Sequence, residues 1–135
     1  MIQRLQSLLF FFAFLTLLVI VFYFPVLVVN IDDQEKIFLL IADHFSFVRL
    51  FIFLSAGLSL FSISQYKNRK RQILISSVSR LMITLAFVSL VFLYRESEDI
   101  GVGLFLLIIP YTSLFLATYF IRKDEKIIKD ADRLR

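Results

Sequence analysis

Apolar positions fall in four long blocks, and the polar clusters between them alternate in character. The first interruption holds Asp32, Asp33 and Glu35, the second Lys67, Arg69, Lys70 and Arg71, and the third Arg95, Glu96, Glu98 and Asp99; a basic tail runs from Arg122. Each block is about as long as the ~20 apolar residues that cross a bilayer as a helix. The pattern predicts spans over residues 8–29, 45–64, 73–94 and 102–121. In lipid these must be helices, because an open strand edge would leave backbone groups without partners. The expected fold is an all-α membrane protein, a four-transmembrane-helix bundle in a single domain over residues 1–135. A short C-terminal amphipathic helix is expected in the tail, 122–135.

Composition supports that class. The 135 residues are 59% hydrophobic, well above the roughly 45–50% of soluble domains. Lys and Arg are unevenly placed. Arg4, the 67–71 cluster and the tail carry nearly all those outside the spans, against Lys36 and Arg95 on the other side. The positive-inside rule then predicts a multi-pass protein of the bacterial inner membrane with both termini cytoplasmic. Tyr66, Tyr94 and Tyr119 fall near predicted span ends, where amphipathic rings prefer to sit. The net charge of +4 is explained by these topology signals, and no nucleic-acid partner is expected. Arg4 and the apolar run from Leu8 resemble a secretory leader, but a run of about 22 residues exceeds the ~7–15 of a leader's apolar core. No small-residue cleavage pattern follows it, so an uncleaved first span is expected.

Local signals refine this picture. Residues 37–41 are apolar but too short to span; they could extend the second helix, lie in the interface or pair as a small strand. Arg49 is expected near the outer surface, its stem in lipid and its head in water. Pro110 removes one helical hydrogen bond and should kink the fourth span. Gly101 and Gly103 mark the start of that helix better than they mark a phosphate loop. In the tail, Ile127, Ala131 and Leu134 recur at i, i+4 and i+7, a stripe able to lie on a membrane or dock on a partner. A solvated extension of the fourth helix is the alternative.

Candidate chemistry is sparse. Arg80 is the basic residue deep in a predicted span, about 10 Å past Ile73 at 1.5 Å per residue. Ser76, Ser77 and Thr84 share its face by spacing. The second span contributes Ser55, Ser59 and Ser62. Because the basic turn Lys67, Arg69, Lys70, Arg71 makes spans two and three an antiparallel hairpin, these hydroxyls can bond across a close seam. Arg80 would then snorkel from that seam to the cytoplasmic face, or bind an anionic lipid headgroup or another subunit's acid. No Asp or Glu lies deep in a span, which argues against a proton relay or an intramembrane aspartyl site. His44 has no partners at metal-ligand spacing, and Ser46 beside it sits on no nucleophile turn. There is no cysteine. No catalytic residue, metal or cofactor is expected, and the protein is not expected to be an enzyme.

The start Met1-Ile2-Gln3-Arg4-Leu5-Gln6-Ser7, the turn Lys67-Asn68-Arg69-Lys70-Arg71-Gln72-Ile73 and the end, Arg122-Lys123-Asp124-Glu125-Lys126 through Ala131-Asp132-Arg133-Leu134-Arg135, carry a family resemblance. The chain resembles, along its whole length, a family of small four-helix inner-membrane proteins of Bacteroidota catalogued as a domain of unknown function. The resemblance implies topology and brings no activity, cofactor or catalytic residue.

The expected role is non-enzymatic, an accessory or scaffold subunit of a larger membrane assembly. Its expected partners are membrane lipid and other membrane subunits or further copies of itself. Two alternatives stand beside it: an oligomeric transporter or channel for a small anion, and a protein that binds or handles anionic lipid. The residues on which these readings rest are Arg80, Ser76, Ser77, Thr84, Lys67, Arg69, Lys70, Arg71, Ile127, Ala131 and Leu134.

Overall fold

Four helices are long and apolar enough to cross a membrane in the computed structural model, which describes residues 2–29, 35–38, 46–93 and 98–133. In chain order the elements are α1 (Ile2–Tyr23), β1 (Pro25–Val29), β2 (Glu35–Phe38), α2 (Ser46–Ser64), α3 (Arg69–Leu93), β3 (Glu98–Ile100), α4 (Val102–Leu106) and α5 (Ile108–Arg133). The long helices form a ring in which α1 packs on α2 and α5, and α3 packs on the same two. Neighbours run antiparallel, so one end of the bundle carries the α2–α3 turn and the other carries a small sheet.

The sheet corrects the first predicted span. Helix α1 stops at Tyr23, and residues 25–29 form a strand rather than the end of a helix reaching residue 29. Proline explains the break. It has no N–H to give, and its ring disfavours helical backbone in the preceding residue, Phe24. The last helical bond runs from the Phe24 N–H to the Ile20 carbonyl. After it, Val26, Val28 and Val29 suit extended backbone. The 19-residue, predominantly apolar stretch Leu5–Tyr23 already covers about 28 Å at 1.5 Å per residue, close to a hydrocarbon core of ~30 Å. Strand β1 is central in the order β2-β1-β3, antiparallel to both neighbours. Of the three conformations open to the 37–41 segment, Glu35–Phe38 takes the strand. The remainder of the 30–44 loop, with Asp43 and His44, lies outside the described residues, as do Tyr94 and Arg95.

Proline also shapes the fourth span. The expected kink takes the form of an interruption at Leu107 between α4 and α5. Pro110 cannot donate to the carbonyl four residues back, so it stands in the first turn of α5, where a missing N–H costs least. Around the break the Leu107 N–H reaches only three residues back, to Leu104. The basic turn is likewise more helical than expected. Arg69, Lys70 and Arg71 form the first turn of α3, and the connection is reduced to residues 65–68. There the Asn68 N–H bonds the Gln65 carbonyl and the Gln72 N–H bonds that of Asn68.

The core is graded along the bundle. Toward the sheet it is apolar, with Leu17, Val21, Val48, Ile52, Ala86, Leu90 and Leu107 buried. Toward the turn it also holds polar groups, with Gln6, Ser55, Ser59, Ser62, Gln72, Ser76, Ser79 and Thr118 buried alongside Phe10, Ala117 and Ile121. Large apolar side chains such as Leu8, Phe53, Leu74, Phe92 and Phe115 face outward. In the four long apolar helices only 28–44% of residues are buried inside the bundle, so most of their residues lie on its outside.

Candidate functional site

Helices α2 and α3 are joined by a reciprocal serine clasp. Ser55 Oγ lies 3.0 Å from the Ser79 carbonyl oxygen, Ser79 Oγ lies 3.0 Å from the Ser55 carbonyl oxygen, and the two hydroxyl oxygens are 2.8 Å apart. Both residues are fully buried. Such contact needs small residues on both helices, because the side chains must reach across to backbone. Nearer the turn, Gln72 Nε2 donates to the Ser62 carbonyl at 3.1 Å. The expected hydroxyl seam is therefore present, with Ser79 and Gln72 as the α3 partners. Ser59 bonds back to Ala56 in its own helix. The spacing of buried positions 72, 76, 79, 83, 86 and 90 along one face of α3 carried the missed signal.

Ser76 points to the other neighbour. Its hydroxyl is 2.8 Å from Thr118 Oγ1 on α5, and Thr118 in turn bonds the Leu114 carbonyl. Ser77 is half-buried and donates to the Ile73 carbonyl. Thr84 is exposed and turns its hydroxyl onto Leu81 of its own helix. The expected single face of Arg80, Ser76, Ser77 and Thr84 is thus divided. Ser76 belongs to the α3–α5 seam, Arg80 and Ser77 lie beside it, and Thr84 opens outward one turn further on.

Arg80 does not enter the α2–α3 seam. It follows Ser79 by one residue, a rotation of about 100° that carries it toward α5. Its guanidinium lies over the Phe115 ring at 5.6 Å, and Nη2 donates to Ser77 Oγ at 3.2 Å. The side chain therefore reaches back toward the turn end, the usual direction of long helical side chains. Nε is buried without a partner among the described residues. A guanidinium has five N–H donors, and Phe115 offers only a ring face. Arg80 stands inside the apolar stretch Arg69–Phe92, where an arginine without full partners is costly.

A groove of about 310 Å³ opens between Ile83, Thr84, Phe87 and Val88 on one side and Leu107, Ile108 and Tyr111 on the other. Thr84 and Tyr111 line the groove one helical turn beyond Arg80 and Phe115, whose contact lies on the turn-end side of it.

The turn end carries the basic surface. Lys67, Lys70 and Arg71 are exposed, and Lys67 lies over the Tyr66 ring at 5.9 Å. The tail is not a separate helix: α5 runs unbroken through Arg133, so the extension alternative describes it. Gln6 Nε2 donates to Asp124 Oδ2 at 2.7 Å and ties the start of α1 to α5. Replacing Gln6 with Ala is expected to cost about 1 kcal/mol, the usual net value of one hydrogen bond. Hydrogen exchange should then rise first in residues 124–133. Ile127 is exposed beside an equally open Ile128. Ala131 lies on the helix, but its side chain is outside the described residues, as is Leu134, so the expected stripe is described only at Ile127.

The family described as Domain of unknown function (DUF4293) matches the chain over residues 2–134. No curated protein and no solved structure matches it.

Proposed function

We propose that this chain, which belongs to the DUF4293 family, is a non-enzymatic accessory or scaffold subunit of a larger assembly in the bacterial inner membrane, with both termini cytoplasmic. The observation that carries this reading is the last part of α5. Beyond the Gln6–Asp124 bond the helix continues for two more turns, holding Ile127 and Ile128 exposed among Lys126 and Asp130. A helix tied at its base loses little conformational entropy when it docks, and an exposed apolar pair on it suits a partner's groove. The exposed Lys67, Lys70 and Arg71 lie at the same end, where the positive-inside rule puts the cytoplasm. Anion transport is less well supported, because the groove beside Arg80 is lined by apolar groups rather than by a polar path.

Crosslinking in membranes followed by affinity isolation in mild detergent tests the proposal. Wild type should be recovered in a discrete larger complex. The double variant Ile127→Glu/Ile128→Glu should be recovered alone, with its helical content intact. Repeated recovery of only the single chain, crosslinked or not, would sink the idea.

A further inference from the structure

We propose that the α3–α5 face is a binding site for an acidic phospholipid, with the phosphate on Arg80 and one acyl chain in the groove beyond it. Two observations meet in one ligand. The guanidinium has a buried Nε without a partner among the described residues and spends one Nη2 hydrogen on Ser77. Phosphate oxygens match such a fork and can take two parallel N–H bonds from it. The neighbouring groove, lined by Ile83, Phe87, Leu107, Ile108 and the Thr84 and Tyr111 side chains, is apolar.

Lining and direction select the occupant. The groove of about 310 Å³ is open along one side and lined by apolar groups. That apolar lining suits an alkyl chain. The order of the parts also matches a lipid. Arg80 reaches toward the turn end, and the groove runs from it toward the sheet end. A lipid in the turn-end leaflet has the same polarity, head first and chains toward mid-bilayer. The arginine stem snorkels toward the headgroup level while the Phe115 ring keeps the cation in place. The site stands independently of the accessory role, which rests on the α5 tail.

The test uses the full chain in detergent micelles, titrated with phosphatidylglycerol or with phosphatidylcholine of the same acyl length and followed by native mass spectrometry. Wild type should retain one phosphatidylglycerol with a preference of about fivefold or more over phosphatidylcholine. Arg80→Ala should lose the preference, and Arg80→Lys should keep part of it. Thr84→Trp, which fills the groove and leaves Arg80 in place, should lose retention of both lipids; this variant serves where Arg80→Ala fails to fold. Inorganic phosphate at millimolar concentration should not displace the lipid. The proposal is overturned if the two lipids are retained equally, if Arg80→Ala keeps the wild-type preference, or if inorganic phosphate competes. It is also overturned if Lys70→Gln/Arg71→Gln abolishes the preference while Arg80 is intact. Loss of a co-isolated membrane protein in Arg80→Ala, with lipid preference unchanged, assigns the arginine to a partner's carboxylate and overturns it as well.

Discussion

Ser79→Leu is expected to separate α2 from α3 at the turn-end half of the bundle and to lower stability by about 1–3 kcal/mol from overpacking alone. The reason is the closeness of the seam. Ser55 and Ser79 each reach the other's backbone carbonyl at 3.0 Å, and no larger side chain fits between helices in such contact. The hydrogen bonds themselves add less, since side-chain bonds in membrane proteins average about 0.6 kcal/mol and reach ~1.7. Ser79→Ala should therefore cost about 1 kcal/mol and Ser79→Leu clearly more. Unfolding followed in increasing SDS measures both. Equal midpoints for the two variants would mean that the bonds, not the close approach, hold the hairpin.

Gly101→Ala is expected to open the sheet end without disturbing the turn end. A Cβ at position 101 would lie 2.6 Å from the Val26 carbonyl carbon and still nearer the Pro25 carbonyl oxygen. Those are backbone atoms of the central strand, so no rotamer change relieves the clash. The Gly101 N–H also donates to the Val26 carbonyl at 2.8 Å, and that bond tethers the entry of α4 to β1. Gly103 stands under the same strand, with a Cβ contact of 2.8 Å to the Pro25 oxygen. The expected cost is about 1–3 kcal/mol, concentrated locally. Hydrogen exchange should rise over residues 25–29 and 98–106 while the amides around Ser55 and Ser79 keep their protection. Uniform acceleration along the chain would count against a local clamp. Gly57, with open space where a Cβ would stand, is the control; Gly57→Ala should be neutral or slightly stabilising in its helix.

The two glycines illustrate what was hard to read. Gly-Val-Gly is a weak motif in one dimension, and its reason is a strand some seventy-five residues earlier. That strand was itself concealed, because Val26-Leu27-Val28-Val29 continues an apolar run that satisfies the composition of a span. Pro25 was the available signal, and its effect on Phe24 outweighs the run's hydropathy. The serines present a related difficulty. Nine of them lie along α2 and α3, and a hydroxyl can bond its own helix or a neighbour. Ser77 and Thr84 do the first, while Ser55, Ser76 and Ser79 do the second. The division follows from rotation about the helix axis, to which spacing alone gave no zero.

Arg80 and the tail divide the same way. That an arginine stands within an apolar span is legible from composition. That it faces Phe115 on α5, with a groove continuing beyond it, required the position of α5. The apolar positions of the tail suggested a helix. Its continuity with α5 and its tie to Gln6 came from the packing of α1 on α5.

Sequence by itself determined the number of long helices, their approximate limits and the placement of charge at their ends. Those follow from the cost of burying unpaired backbone or exposed charge in hydrocarbon, which local composition records. Only the tertiary structure decided which faces meet, where α1 yields to the central strand and which hydroxyls cross a seam. In a soluble helix an apolar stripe marks the inward face, because water penalises the alternative. In a bilayer, lipid is as apolar as a core, so Leu and Phe serve equally well on either side, and close packing and polar contacts between helices choose the faces.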